Sequence, residues 1–210
     1  MKHFTKADIL SLEKIYRANL INSSSGYKPA NLISTISKSK QTNLAIFSSV
    51  FHLGANPPLL GMIVRPATVP RNSYENLKEI GYYAINHVQK DFVEKAHFTS
   101  AKFPKEVSEF EACKLTEEYI DGFPVPFVKE SKIKLGMRFV QEIPLVVNDT
   151  ILIIGEIEHL ILPESILQED GNLLLDKIQD VCVNGLETYF TVEKLTSFPF
   201  ARPENLPDFK

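Results

Sequence analysis

Ser131-Lys132-Ile133-Lys134-Leu135-Gly136-Met137-Arg138-Phe139-Val140 is the stretch that decides the fold class. Ile133, Leu135, Met137 and Phe139 alternate with Lys132, Lys134 and Arg138. A period of two with one apolar face marks a half-buried β-strand. Further on, Thr150 to Leu162 is nearly all apolar apart from Glu156, Glu158 and His159, and reads as a long central strand. Working outward, short apolar runs at 30–37, 43–48 and 58–65 are bounded by polar or Pro/Gly clusters and read as strands too. Tyr82 to Val88 and Thr188 to Leu195 are further candidates.

Helical patterns are fewer. Thr5-Lys6-Ala7-Asp8 is close to a capping box, and Ile9, Leu12, Ile15 and Tyr16 are spaced for one face, which predicts an amphipathic helix over 6–19. Asn22-Ser23-Ser24-Ser25-Gly26 then breaks it. Asn72 is expected to cap a helix through Tyr74, Leu77 and Ile80 that Gly81 ends. Asp91 is expected to cap another through Val93, Ala96 and His97. The segment 101–130, rich in Pro, Glu and Lys, reads as a long excursion. Strands dominate, so the expected class is mainly β: an antiparallel barrel with accessory helices, not an alternating parallel sheet.

Composition narrows the function. The chain has 210 residues and a net charge of −3, which argues against a nucleic-acid partner. Cys113 and Cys182 stand far apart, the pattern of two buried thiols rather than a disulfide framework or a zinc site. The first residues lack a signal-peptide core, and no apolar run approaches the roughly 20 residues that span a bilayer, so a cytoplasmic protein without a membrane partner is expected. Dinucleotide and P-loop glycine patterns, H-E-x-x-H and G-x-S-x-G are all missing. These absences leave a bound organic cofactor to carry the chemistry, or binding alone.

Two segments can hold an anionic cofactor. In Thr42-Asn43-Leu44-Ala45-Ile46-Phe47-Ser48-Ser49-Val50-Phe51, followed by Asn56-Pro57-Pro58, small and hydroxyl residues end an apolar strand and offer hydrogen bonds to a flat heterocycle. By itself this is equally the end of a strand running into a turn. In Arg65-Pro66-Ala67-Thr68-Val69-Pro70-Arg71-Asn72-Ser73, two arginines, an Asn and a Ser precede a helix N-terminus, a setting suited to phosphate. A plain helix cap beside solvated arginines has the same composition. His97, Ser100 and Lys102 form a third, weaker group.

Taken in order, these segments resemble the flavin reductase-like family with the FMN-binding split-barrel fold. Asn43-Leu44-Ala45 with Ser48-Ser49 and Asn56-Pro57-Pro58-Leu59 is similar to the family's N-x-A-x-x-S stretch and its D-P-P. Asn72-Ser73-Tyr74-Glu75-Asn76-Leu77 resembles its D-T-x-x-N-I, and Tyr83-Ala84-Ile85-Asn86 its F-x-V-N strand. Phe103 to Val107 with Phe110-Glu111, Glu130-Ser131, Gly155-Glu156 and Gly185 to Tyr189 continue the series. Departures are Asn56 for the usual Asp, Asn72-Ser73 for Asp-Thr, Glu106 for Gly and Lys132 for Pro.

The resemblance covers roughly residues 20–195. It implies one domain over 1–210, with an N-terminal helix and a C-terminal tail as extensions. The implied fold is a six-stranded antiparallel Greek-key barrel that forms a homodimer, with FMN in a cleft between subunits. The isoalloxazine would lie along Ala45, Ile46, Phe47, Ser48 and Ser49. The phosphate would sit near Arg65, Arg71, Asn72 and Ser73; His97, Ser100 and Lys102 stay candidate contacts on their residue types alone, equally read as a half-buried His and solvated side chains. The implied activity is hydride transfer from NADH or NADPH to flavin, with no obligatory protein acid or base. The alternatives are an FMN-binding electron carrier without nicotinamide activity, and a barrel for a different ligand.

Overall fold

The computed structural model describes residues 1–65 and 71–209. Two helices open the chain, α1 (Lys6–Ser11) and α2 (Lys14–Ser24). Next come β1 (Lys28–Pro29), β2 (Asn31–Ile36), β3 (Thr42–Phe47), β4 (Phe51–Ala55), β5 (Pro58–Val64), α3 (Asn72–Ile80) and β6 (Tyr82–His87). A 3-10 turn at Lys90–Phe92 leads into α4 (Val93–Phe98), and α5 (Glu109–Ala112) follows. Then come β7 (Glu117–Glu118), β8 (Phe127–Val128), β9 (Lys134–Leu145), β10 (Thr150–Ile161), β11 (Val181–Asn184) and β12 (Thr188–Thr191), with further 3-10 turns at Glu164–Ile166, Leu175–Ile178 and Pro203–Asn205.

Seven strands form one antiparallel sheet in the order β3-β2-β6-β9-β10-β5-β4. Its edges, β3 and β4, are joined by only three residues, 48–50. Four peptide steps span at most about 14 Å. Laid flat, seven strands would put the edges about 29 Å apart. The sheet must therefore curl until its edges nearly meet, and they do so without pairing: the barrel is split. Ser49 in the link is tied to β5, the strand next in from the β4 edge. Its Oγ donates to the Ile63 carbonyl at 3.0 Å and accepts the Ile63 N–H at 3.1 Å.

The barrel interior holds Ile33, Met62, Val64, Tyr83, Ile85, Ile133, Leu135, Met137 and Ile153, closed at one mouth by Leu77 of α3. A second apolar cluster, with Leu32, Leu44, Val88, Phe92, Ala96 and Phe110, lies between the sheet and helices α4 and α5. β1-β11-β12 and β7-β8 form two smaller antiparallel sheets.

The mainly β, antiparallel class is as the alternation at 131–140 predicts. Several local expectations are corrected. Seven strands, not six, make the main sheet, because 51–55 pairs with β5 ahead of a cis Asn56–Pro57 bond. The helix expected over 6–19 is broken at Leu12, whose ψ of 148° is extended. Glu13 restarts it by accepting the Ile15 and Tyr16 N–H groups at 2.8 and 3.0 Å, and no residue of either helix is buried. The capping box is present between Thr5 and Asp8.

Arg71, not Asn72, is the N-cap residue of α3. Gly81, at φ 81°, ends that helix as expected. Asp91 falls inside the 3-10 turn, and Phe92 is the residue before α4. The last strand stops at Thr191. Lys134, placed on the solvent face by alternation, is 7 % exposed, because the 101–130 excursion lays Glu118 over it as an ion pair. Both cysteines are free and buried. Among the described residues no helix is long and apolar enough to cross a membrane.

Candidate functional site

Side chains alternate across the edge strand β3. Leu44 and Ile46 face the helices, where Ile46 packs with Val93, Phe103 and Tyr189 against the second cluster. Asn43 and Phe47 face the other way, and Phe47 and Val50 pack against the barrel core. The Leu44 N–H points away from β2 and donates to Glu109 Oε2 at 2.8 Å. Backbone direction repeats every two residues in an antiparallel ladder, so the Ile46 amide faces the same open edge. Residues Ala45 to Ser49 are all half-buried.

Helix α3 is bolted across the barrel mouth by polar bonds. Asn43 Nδ2 donates to Ser73 Oγ at 2.8 Å, and Asn76 Nδ2 to Thr35 Oγ1 at 3.1 Å. On its far side the Tyr74 hydroxyl donates to Glu142 Oε2 at 2.8 Å, and Lys78 Nζ lies 2.7 Å from Glu142 Oε1. Hydrogen bonding from Lys78 holds the Glu142 carboxyl below its usual range. Loss of water around the Tyr74 phenol raises that group. These bonds bring Asn43 of β3 beside Ser73, Asn72 and Arg71 at the helix N-terminus. The Asn72 Oδ1 atom is buried and has no hydrogen-bond partner among the described residues.

A cleft of about 900 Å³ opens here, between the Ser37–Gln41 turn, the start of β3, α3 and the loop at Lys105-Glu106. Asn43 and Asn72 line it, with Lys38, Lys78 and Lys105 set against Glu75, Glu79 and Glu106. Its size suits a cofactor-sized ligand.

The expected site residues divide into three places. Ala45, Ile46, Phe47, Ser48 and Ser49 follow the split edge, and Ser49 is already engaged with Ile63. Arg71, Asn72 and Ser73 gather at the start of α3. Arg65 is exposed just after β5, and the stretch 66–70 between it and Arg71 lies outside the described residues. His97 sits on α4, which packs on β3, and its Nδ1 is 3.0 Å from the Tyr189 hydroxyl. Ser100 and Lys102 are exposed, with Ser100 Oγ donating to the His97 carbonyl. Of all these, Asn72 alone lines the cleft.

Sequence reasoning missed a polar group at one end of β6. His87 Nδ1 lies 2.6 Å from Asp180 Oδ2, and Gln89 also donates to that carboxylate. Asn31, 1 % exposed, is the strand neighbour of both Phe47 and His87, and its Oδ1 has no partner among the described residues. Counting by twos from Tyr83 and Ile85 would have put His87 on the interior face. Nothing local points to Asp180, 93 residues away. Among the described residues, no group of three His, Cys, Asp or Glu side chains could hold a metal ion.

Residues 26–181 match the flavin reductase like domain family. The chain belongs to that family. An uncharacterised protein of Aquifex aeolicus is 30 % identical to it over 156 residues, which is 73 % of this chain and 79 % of that one. A solved structure from Shewanella frigidimarina, assigned as a flavin reductase with a split barrel domain, superposes with a TM-score of 0.93 at 47 % identity. That match covers 96 % of this chain and 100 % of the other. An FMN-binding protein from Thermus thermophilus shares the fold at a TM-score of 0.71 and 15 % identity, over 84 % of this flavin reductase-like chain and 93 % of its own.

Proposed function

We propose that this flavin reductase-like protein binds FMN and uses NADH or NADPH to reduce flavin in the cytoplasm, with residues 1–210 acting as one unit. The observation that carries the reading is the junction of β3 and α3. A strand edge with an outward Ile46 amide runs beside a helix N-terminus that carries Arg71, Asn72, Ser73 and a buried Asn72 Oδ1 without a partner among the described residues. A strand edge supplies hydrogen bonds for a planar ring, and Arg with a helix N-terminus suits a phosphate. An Asn amide can turn to present either donor or acceptor to a ribityl chain. These residue types fit FMN, which supplies hydride-accepting chemistry when bound.

The protein's share of the reaction is position. Ala45 to Ser49 would hold one edge of the ring, Arg71 and Ser73 the phosphate, and Ile46 with Phe47 would keep water from its surroundings. Arg65, His97, Ser100 and Lys102 are proposed as outer contacts. A homodimer is part of the reading. The outer face of β4-β5-β10-β9, next to the Ser49 link, carries Phe51, Ile63, Leu152, Ile154 and Ile143, none of them buried. A second subunit there would cover this apolar face and complete the ring site.

The visible spectrum of purified protein, with FMN added back, tests the reading. Flavin bands together with NADH or NADPH consumption are expected. A colourless protein that ignores FMN overturns the cofactor. A yellow protein indifferent to both nicotinamides overturns the reductase and leaves an electron carrier.

A further inference from the structure

The segments before β1 and after β12 leave the molecule side by side. β1 and β12 flank β11 in one small sheet, and Tyr27 packs edge-to-face on Phe190 with ring centroids 5.0 Å apart. Before this point lie α1 and α2, and after it a strandless tail. None of residues 1–29 is buried, and every residue from 191 to 209 is exposed. Both segments carry large apolar groups: Leu10, Ile15, Tyr16 and Ile21 on the helices, Leu195, Phe198, Phe200, Leu206 and Phe209 on the tail. Leu195 is 96 % exposed, Phe198 85 % and Phe200 84 %.

Surface area measures the imbalance. The chain exposes 13637 Å² for a mass of 23.8 kDa. A compact monomer of that mass exposes about 9,900 Å², so roughly 3,800 Å² is in excess. That exceeds one protomer's share of most large obligate homodimer interfaces. Water-exposed aromatic groups in this number are unfavourable at about 25 cal/mol per Å² of apolar surface, and an ordered partner relieves that cost. Pro199, Pro203 and Pro207 disfavour a long helix or a central strand in the tail, whose regular structure among the described residues is a 3-10 turn at Pro203–Asn205.

We infer that the occupant is a second copy of this chain. The helices and tail of each protomer form one arm that embraces the barrel of the other, with Phe198 and Phe200 seated on the partner's apolar β4-β5-β10 face. The exchange is reciprocal, as a two-fold interface requires. The inference rests on the dimer proposed above and adds to it the means by which the dimer is held.

The test uses the full chain with a photo-crosslinking benzoyl-phenylalanine at position 198, in a mixture of ¹⁵N-labelled and unlabelled protein. Irradiation should give a covalent dimer whose tail peptide from one isotope is joined to a 51–64 peptide from the other. A second variant, ending at Lys194, is compared by sedimentation after circular dichroism has verified its fold. Its dimer should weaken by about 100-fold or more, as loss of central aromatic anchors does. A full chain that sediments as a monomer at micromolar concentration overturns both the arm and the dimer, whatever its flavin content. A dimer whose crosslinks are all within one chain, or whose dissociation constant survives the truncation, overturns the arm alone.

Discussion

Ser49 Oγ holds both backbone groups of Ile63, donating to the carbonyl at 3.0 Å and accepting from the N–H at 3.1 Å. One hydroxyl thus substitutes for the ladder pair that would continue the β4–β5 register beyond Phe51–Gly61. Replacing Ser49 with Ala should leave two half-buried backbone groups unsatisfied and cost about 1–3 kcal/mol. Urea denaturation measures the loss, and faster amide exchange at Ile63 should localise it to the seam. An unchanged midpoint would mean that the link stays on β5 without this bond.

Gly155 lies under a buried ring. A Cβ there would stand 2.2 Å from the Tyr83 hydroxyl oxygen and 3.0 Å from Cζ, and Tyr83 is 1 % exposed with no room to swing away. Gly155→Ala should destabilise the fold by about 1–3 kcal/mol through overpacking. Combining it with Tyr83→Phe should recover part of that, since the nearest clash is with the hydroxyl. Thermal melts of the two single variants and the double variant give the coupling.

Glu109 is a carboxylate in the wrong solvent. Burial pushes its pKa up, against the pull of the Leu44 N–H that it accepts. A carboxyl raised in the native state binds more protons there than in the unfolded chain, so its effect on stability is favourable below the ordinary carboxylate range and is lost as pH rises through the folded value. Glu109→Gln keeps an acceptor for Leu44 without the charge. It should raise stability at pH 7.5 by about 1 kcal/mol and leave it nearly unchanged at pH 4. Melting at the two pH values checks the sign, and a variant less stable at pH 7.5 would show that the charge itself is needed.

Arg71 tests the cofactor assignment. Arg71→Ala should weaken FMN binding by about 1.5–3 kcal/mol if the guanidinium meets the phosphate. Riboflavin, which lacks that group, should bind as before. Fluorescence titration of the apo-protein with both ligands measures this, and equal weakening of the two would remove Arg71 from the phosphate site.

The parts legible in sequence were those with local causes. Alternation from Ile133 to Phe139 marked a strand, Gly81 marked a helix end, and the Thr5–Asp8 box marked a helix start. Each depends on neighbours within a few residues. Long-range pairing was invisible: β11 at 181–184 exists because β1 and β12 sit on either side of it, and Lys134 is buried because Glu118 reaches it from another segment. The site divided in the same way. The order of segments assigned Ala45 to Ser49 and Arg71 to Ser73 to one expected cofactor, and Asn43, which was not among those residues, is the one that bonds Ser73 at the α3 start. The His87–Asp180 pair and the hold of Glu109 on Leu44 needed the chain to return from far along its length.

That hold bears on how copies of this chain behave when crowded. An edge strand with open N–H and C=O groups is a template for any other strand, and β3 is such an edge. The Glu109 carboxylate occupies the Leu44 amide, so an incoming strand would have to displace a buried charge before it could add its first rung. The hydrogen bond that looks like local tidying is thus a guard against sheet-to-sheet aggregation, and it leaves the next stretch of the same edge, at Ile46, open for a ligand.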